Sequence, residues 1–312
     1  MKRLKTFFMG TPEFAVPCLK RLIEISDVVG VATQPDKKRG RGQKVTPSPV
    51  KVFAQEFGLS VYQPERIRNE DFISQLNSLS PDLIVVVAFG QILPQRILDL
   101  PSLGCINVHA SLLPRYRGAA PMQRCLMAGE TVTGVTTMFM DAGLDTGDIL
   151  LKEEVEVGTD TTLEMLHDAL SEIGANLLEK TITALMNGTL TRIKQDDSMS
   201  SYADILTKET GKMDWKKSAI ELHNLVRALD SWPGAYTIWE GQTFKIWRTR
   251  VISEDDNQGI PGEVIQKTRQ GFMVATGNGI LEILELQAPG KKRMPAMDYL
   301  RGHTISEYSR FS

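Results

Sequence analysis

The sequence is poor in the residues that build metal centres and disulfides. It has three cysteines and four histidines among 312 residues. Cys18, Cys105 and Cys125 stand singly in the chain, which is typical of reduced thiols in a core and unlike a disulfide framework. Neither residue type shows HxxxH or CxxC spacing, so we expect no metal site built by the protein.

Long apolar runs are missing as well. The N-terminus, MKRLKTFFMG, places basic residues before an apolar run that is too short for a signal peptide, and no later stretch reaches bilayer length. We therefore expect a cytoplasmic protein without a membrane partner. A hydrophobic content of 42%, a charged content of 24% and a net charge of -2 are ordinary for a soluble globular protein, and a monomer is the default expectation.

The first half of the chain alternates apolar runs with amphipathic helical patterns. Continuous runs such as DLIVVVAFG suit strands buried on both faces of a parallel sheet. Helix starts are predicted at Pro12 and at Ser48-Pro49. This pattern predicts a Rossmann-like, doubly wound α/β domain over residues 1–189.

A polar segment without a clear period predicts a linker over residues 190–207. Beyond it, over 208–312, one helical pattern is followed by about five short alternating strands with Gly and Asn in their turns. These features predict a small, OB-like β-barrel. The cations of this domain are candidates for RNA contact, with a solvated face as the alternative; they are Lys245, Arg248, Arg250, Lys291, Lys292 and Arg293. Strict alternation along FKIWRTR would divide the charges of that strand between its two faces.

Two nucleotide-binding patterns are missing from the turns after the predicted strands. None carries G-x-G-x-x-G or a P-loop lysine motif, which argues against a dinucleotide or a nucleoside triphosphate. The strand GCINVH instead ends with Asn107 and His109, whose side chains point the same way because strand residues alternate with a period of two. The next strand leads into MDAGLDTGDIL, which contains Asp145.

An amide, an imidazole and a carboxylate at neighbouring strand ends suit acyl transfer through a tetrahedral intermediate. Asn107 and His109 can donate to an oxyanion, while Asp145 can orient the ring and relay a proton. No Ser or Cys lies in a nucleophile-elbow context, so the acyl group is expected on an activated donor. Taken alone, a strand-end histidine and an aspartate-rich turn are also compatible with purely structural roles.

These residues together resemble a known family. Asn107-x-His109, the Ser111-Leu112-Leu113-Pro114 loop continuing to Arg117-Gly118, and Asp145-Thr146-Gly147 are similar to formyltransferases that use 10-formyltetrahydrofolate. The resemblance implies that Asn107, His109 and Asp145 are catalytic. It also implies that the pterin lies against Ile92, Leu93 and the backbone of residues 142–146, with the SLLP loop as the floor of the folate site.

Residues 35–51, PDKKRGRGQKVTPSPVK, carry six cations and one acid just after the second predicted strand. A run of like charges is usually a solvated loop. Because the chain is similar along nearly its whole length to family members that formylate methionyl initiator tRNA, we expect a loop that orders on tRNA phosphates. The contacts expected, with Arg41 at the centre, are Lys37, Lys38, Arg39, Arg41 and Lys44.

The catalytic trio alone does not name the acceptor. Formyltransferases that act on a small amine, such as glycinamide ribonucleotide or an amino sugar nucleotide, share it. A non-catalytic RNA-binding protein would account for the basic stretch and the barrel, but would leave the trio without a purpose. The basic stretch and the extra barrel therefore favour the tRNA acceptor.

Overall fold

Two compact units, which alternate along the chain, make up the described part of the protein. The structure, a computed structural model, describes residues 3–39, 44–256, 258–303, 305–306 and 308–312. The first unit contains Met1–Gly118, Val132–Val155 and His167–Ala203; the second contains Ala119–Thr131, Glu156–Leu166 and Asp204–Ser312. The contiguous boundaries predicted at 189–190 and 207–208 stay a prediction.

A seven-stranded sheet with flanking helices forms the first unit. Its main strands are β1 (Lys5–Gly10), β2 (Asp27–Ala32), β5 (Val61–Tyr62), β6 (Leu83–Val87), β7 (Cys105–His109), β9 (Val132–Phe139) and β10 (Ile149–Glu156). Two short pairs accompany them: β3 (Lys37–Arg39) with β4 (Lys44–Thr46), and β8 (Arg117–Gly118) with β11 (Tyr202–Ala203). The helices are α1 (Val16–Ile25), α2 (Pro49–Glu56), α3 (Glu70–Leu79), α4 (Gln95–Leu98) and most of α6 (Leu163–Met186).

The sheet has the order β10-β9-β7-β6-β1-β2-β5. Strand β1 pairs in parallel with β2 and β6, and β6 pairs in parallel with β7, which confirms the Rossmann-like prediction. Strand β9 runs antiparallel to β7. Because β1, β6 and β7 are parallel, their carboxyl ends meet at one edge of the sheet, where ligands bind in open α/β folds.

Of the two helix starts predicted from the sequence, one is found as predicted and the other begins differently. Ser48 caps α2 by accepting a hydrogen bond from the backbone of Lys51, and Pro49 occupies the first turn. The helix predicted to open at Pro12 begins instead as a 3₁₀ turn over Glu13–Ala15, and α1 follows from Val16. The turn after β1 is therefore tighter than the sequence pattern predicted.

The polar segment after α6 is hydrogen-bonded to the first unit along its length. Ile193 and Ile149 exchange backbone hydrogen bonds of 2.9 and 2.8 Å, and the backbone N–H of Arg117 donates to the carbonyl of Ser201 at 2.8 Å. Residues 202–203 then form β11 against β8. This segment, although polar, packs directly behind the loops that follow β7 and β9.

An antiparallel sheet forms most of the second unit. Its strands are β12 (Ala235–Trp239), β13 (Gln242–Ser253), β14 (Val264–Lys267), β15 (Phe272–Ala275), β16 (Ile280–Gln287) and β17 (Met294–Pro295). Their order is β12-β13-β16-β15-β14, with β17 beside β16. The helices of this unit are α5 (Pro121–Met127), α7 (Ala219–Ala228) and α8 (Ala296–Gly302). None of the described helices is long and apolar enough to cross a bilayer.

The last residues of the chain close this sheet. Ser309 and Tyr308 exchange backbone hydrogen bonds with Val264 at one end of the strand order, and Ser312 does so with Ile238 at the other end, all at 2.9 Å. The buried ring of Phe311 stacks on Phe272 with ring centroids 5.9 Å apart. The predicted C-terminal barrel is thus confirmed, with a closing segment that the sequence pattern did not reveal.

The prediction that the barrel's cations divide between two faces is wrong. The register of β13 against β16 shifts between Ile246 and Arg248, so that Arg248 and Arg250 lie on the same face as Lys245, opposite the buried side chains of Phe244, Ile246 and Thr249. A β-bulge of this kind moves the following side chains to the opposite face. Arg248 pairs with Glu285, and Arg250 pairs with Glu282, so both cations are partly neutralised within the sheet.

Candidate active site

Asn107 and His109 lie at the carboxyl end of β7, and both side chains are buried. The side-chain amide of Asn107 donates to Oδ1 of Asp145 at 3.3 Å. An amide nitrogen carries two hydrogens, so Asn107 keeps a second donor for another acceptor. The alternation expected from sequence therefore brings both side chains to the same carboxylate.

The imidazole of His109 faces an oxygen at each nitrogen. Nε2 lies 2.9 Å from the carbonyl oxygen of Tyr116, and a carbonyl can only accept, so this nitrogen carries the hydrogen. Nδ1 lies 3.6 Å from Oδ2 of Asp145, an ion-pair distance for a protonated ring. Both contacts fix the orientation of the ring within the site.

Asp145 follows β9 in a loop with an unusual backbone. Its φ of +54° lies in the left-handed region, which is costly for a residue with a Cβ. Its Oδ2 accepts from the backbone N–H of Gly118 at 2.9 Å, in addition to the contacts with Asn107 and His109. The carboxylate is thus held by three partners from two segments of the chain.

The loop around Asp145 leaves little room for substitution. A Cβ added at Gly147 would lie 1.9 Å from the carbonyl oxygen of Phe139, so only glycine fits there. Asp141 accepts hydrogen bonds from the backbone of Gly143 at 3.0 Å and from the hydroxyl of Thr146 at 2.7 Å. Asp141 therefore ties the loop internally, and Asp145 is the aspartate that faces β7.

The predicted SLLP loop is anchored through its inward-facing residues. The hydroxyl of Ser111 donates to the carbonyl of Arg115 at 2.6 Å, and Leu113 is fully buried against Met138 and Ile149. Thr136 bridges the loop by donating to Ser111 O at 2.7 Å and accepting from Leu113 N at 3.1 Å. The half-buried residues of the four are Leu112 and Pro114.

Ile92 and Leu93, the other predicted folate contacts, point in different directions. Ile92 is 63% exposed, whereas Leu93 is buried in the core cluster beside the sheet. The loop that carries them is fixed at Phe89, whose carbonyl accepts from the hydroxyl of Thr11 at 3.0 Å and from the side chain of Gln34 at 3.2 Å. These bonds join the carboxyl ends of β1, β2 and β6.

The basic stretch contains two short strands, β3 and β4, which we call the hairpin. Strands β3 and β4 pair antiparallel, with Lys38 opposite Val45 and Arg39 opposite Lys44, and Lys37 is exposed. Arg41, the predicted central contact, lies outside the described residues. The sixth cation of the stretch, Lys51, is held internally, because its ammonium lies 2.7 Å from both Asp36 and Gln63.

Burial removes the cysteines from ordinary thiol chemistry. All three are buried, and burial raises the pKa of the Cys18 and Cys105 thiols to about 12. Within the described ranges, no three His, Cys, Asp or Glu side chains lie close enough together to hold a metal ion. The expected absence of a metal stays a prediction.

Two family models together match most of the chain. The model described as formyl transferase matches residues 2–182, and the model of the formyl transferase C-terminal domain matches residues 205–304. The chain belongs to the formyl transferase family. The enzyme resembles two curated relatives at 52% identity: the methionyl-tRNA formyltransferase of Geobacter metallireducens, with 97% of this chain and 96% of that protein covered, and that of Alkaliphilus oremlandii, with 97% and 98% covered.

A solved structure of this fold superposes on the enzyme. WlaRD, a sugar 3N-formyl transferase solved in the presence of dTDP and 5-N-formyl-THF, gives a TM-score of 0.67 at 21% identity, covering 94% of this chain and 100% of its own. At that identity the match supports the fold alone.

Two side chains beside the trio were given no role by the sequence analysis. The guanidinium of Arg117, which is 2% exposed, donates to Oε1 of Gln195, and the amide of Gln195 donates to the carbonyl of Asp145 at 2.8 Å. Arg117 belonged to the family signature, but its burial was not evident. Gln195 gave no signal, because it lies in the polar segment predicted as a linker.

Proposed function

We propose that this enzyme transfers a formyl group from 10-formyltetrahydrofolate to the α-amine of methionyl initiator tRNA, for the initiation of translation. The observation that carries the proposal is the similarity to methionyl-tRNA formyltransferases at about half identity, 52% for the relative from Geobacter metallireducens, over 97% of the chain. The similarity extends over both units, since 96% of that relative is covered as well.

The trio supports direct attack of the amine on the formyl carbon. The second N–H of Asn107 and the protonated ring of His109 would stabilise the oxyanion that develops. Asp145, 3.6 Å from the ring, would balance the charge of the imidazolium and help to remove the proton of the amine. None of these steps needs a covalent enzyme intermediate.

The formyl donor would bind where the loops after β6, β7 and β9 come together. Ile92 offers an exposed apolar side chain, and residues 142–144, which precede Asp145, are exposed. Leu112 and Pro114 would contribute contact from the SLLP loop, while Ser111, Leu113 and Leu93 would hold the two loops in place from the inside. The residues present therefore fit a flat, partly apolar ligand such as a pterin.

The hairpin would hold the acceptor arm of the tRNA. Lys37, Lys38, Arg39, Arg41 and Lys44 lie on or between β3 and β4, and Lys and Arg bind phosphates through charge. The base of the hairpin is fixed, since Asp36, Lys51 and Gln63 form a hydrogen-bonded group there. A pair of cationic strands held at its root by these hydrogen bonds suits a structure that guides the aminoacyl end of tRNA.

A formylation assay with several acceptors tests the proposal. Purified enzyme with 10-formyltetrahydrofolate would be given methionyl initiator tRNA, glycinamide ribonucleotide, an amino sugar nucleotide or free methionine. We expect efficient formylation of methionyl-tRNA only. Turnover of glycinamide ribonucleotide or the sugar with an equal or larger kcat/KM would contradict the proposed acceptor, and no transfer to any amine would contradict the activity itself.

A further inference from the structure

The side-chain amide of Gln195 spans the space between a buried arginine and the loop that carries Asp145. Its Nε2 donates to the carbonyls of Asp145 and Gly147, each at 2.8 Å. Its Oε1 accepts from Nε of Arg117 at 3.0 Å and from Nη2 of the same guanidinium at 2.8 Å. Gln195 is 7% exposed, and all four contacts use its amide group.

Arg117 fixes which way round this amide sits. A guanidinium can only donate, so it selects the carbonyl end of Gln195 and turns the NH₂ group towards residues 145–147. The guanidinium also donates to Asp197 at 2.8 Å, and the backbone N–H of Arg117 donates to the carbonyl of Ser201. The arginine is therefore locked by the same segment that supplies Gln195.

The backbone of Asp145 needs such support. Its φ of +54° lies in the left-handed region, which side chains with a Cβ disfavour. Gln195 holds the backbone carbonyl of this residue at 2.8 Å, while the backbone N–H of Gly118 holds its carboxylate at 2.9 Å. Backbone and side chain of Asp145 are thus each held by a separate hydrogen bond.

We propose that Gln195, oriented by Arg117, is a positioning residue that holds the carboxylate of Asp145 against His109 and Asn107. The proposal rests on the proposed catalytic role of Asp145. It assigns a task in catalysis to a segment, 190–207, that contributes no group to the reaction itself. A misplacement of about 1 Å at a catalytic group costs up to about 10²-fold in rate, so the effect on turnover is measurable.

The test is the variant Gln195→Glu. A carboxylate of the same size can still accept from Arg117, but it has no hydrogen to donate to the two loop carbonyls. We expect kcat for formylation of methionyl-tRNA to fall about 10- to 100-fold, with KM for the tRNA changed less than threefold. Gln195→Met, which keeps the volume and removes both kinds of contact, provides a second variant if the first does not fold.

A matched control comes from the second unit. Gln287 also uses both ends of its amide, donating to the carbonyl of Lys291 at 2.8 Å and accepting from the indole of Trp247 at 3.3 Å. Gln287→Glu therefore makes the same chemical change at a half-buried amide away from the trio. We expect its kcat to stay within twofold of the wild-type value.

A double-mutant cycle separates positioning from general support of the fold. In an Asp145→Asn background, Gln195→Glu should lower single-turnover rates by less than threefold, because there is no carboxylate left to position. An equal loss in both backgrounds, or a wild-type kcat for Gln195→Glu beside an impaired Asp145→Asn, would overturn the positioning role alone. A wild-type kcat for Asp145→Asn would overturn the catalytic role of Asp145 and this inference with it.

Discussion

Each unit of the protein buries an arginine beside an amide side chain, and the two arrangements serve different ends. In the first unit Arg117 contacts Gln195, which bonds to the loop of Asp145. In the second unit Arg227 contacts Asn224 at 2.8 Å and the carbonyls of Gly158 and Thr161, each at 2.9 Å. Both guanidinium groups are buried and both hold a loop.

The difference lies in what the held loop carries. The loop tied to Gln195 carries Asp145, which contacts His109 and Asn107, whereas the loop tied to Arg227, around residues 158–161, carries no member of the trio. A buried arginine with satisfied hydrogen bonds is therefore not a functional signal in itself. Its role depends on the residue at the far end of its hydrogen bonds.

Removing the two arginines in turn is expected to give the largest contrast. Arg117→Met leaves the carbonyl of Gln195 without its buried donor, which costs about 1–3 kcal/mol of unfolding free energy, and it lets the amide turn away from Asp145. We expect kcat to fall about 10- to 100-fold. Arg227→Met should lose a similar amount of stability in urea unfolding with kcat little changed, and an equal loss of kcat in both variants would remove the contrast.

The hairpin cations are expected to act on binding instead of turnover. Replacing the five hairpin cations by glutamine should raise KM for methionyl-tRNA about tenfold, equivalent to about 1.4 kcal/mol. It should also flatten the salt dependence of binding by about 0.7 to 0.9 log units for each phosphate that the variant no longer binds. The control replaces Arg96 and Lys180, which pair with Glu70 and Glu153 on the surface. Unchanged tRNA binding at every salt concentration would contradict the hairpin's role.

A smaller effect is expected from pH on the stability of the second unit, where Arg227 contacts Asn224. His223 lies beside Arg227, and burial lowers the pKa of its imidazole, with the cation of Arg227 adding to the shift and Asp160 at 3.7 Å opposing it. The folded state disfavours the charged ring. The neutral imidazole therefore makes its full contribution to the unfolding free energy above the ordinary histidine pKa near 6.5, and this contribution is lost as the pH falls below that value. Unfolding free energies at pH 7.5 and 5.5 should differ less in His223→Gln than in the wild type.

The smallest effect is expected at the exposed end of the first arrangement. Asp197 accepts from Arg117 at 2.8 Å, but its side chain is 83% exposed, and exposed ion pairs contribute about 0–1 kcal/mol. Asp197→Asn should therefore leave kcat within twofold and change the unfolding midpoint little. A loss of kcat comparable to that of Arg117→Met would show that Arg117 acts through Asp197 and not through Gln195.

Much of the fold was predictable because local patterns and burial agree. Continuous apolar runs such as LIVVV marked the parallel strands, Ser48-Pro49 marked a helix start, and the alternation of Asn107 and His109 placed both side chains at one sheet edge. The rule that ligand sites lie at the carboxyl edge did not place Asp145, because β9 runs antiparallel to β7 and ends beside Ile106; the loop after β9 brings Asp145 back to Asn107 and His109.

The remaining features depend on tertiary contacts that leave no local pattern. Gln195 and Arg117 are 78 residues apart, and the segment between α6 and β11 is polar like a linker although Gln195 within it bonds to the backbone of residues 145 and 147. The bulge in β13 and the closing of the barrel by residues 308–312 also depend on partners distant in sequence. Only the assembled structure shows these contacts.

The most direct test of the central claim is the single-turnover rate of formyl transfer to methionyl initiator tRNA in Asn107→Ala. A control variant, Asn69→Ala, removes an asparagine whose side chain only caps α3. With both substrates saturating, we predict a fall of about 10²- to 10³-fold for Asn107→Ala, the usual cost of one oxyanion donor, and a near wild-type rate for the control. A rate for Asn107→Ala within a few-fold of the wild type would contradict the proposed role of the trio.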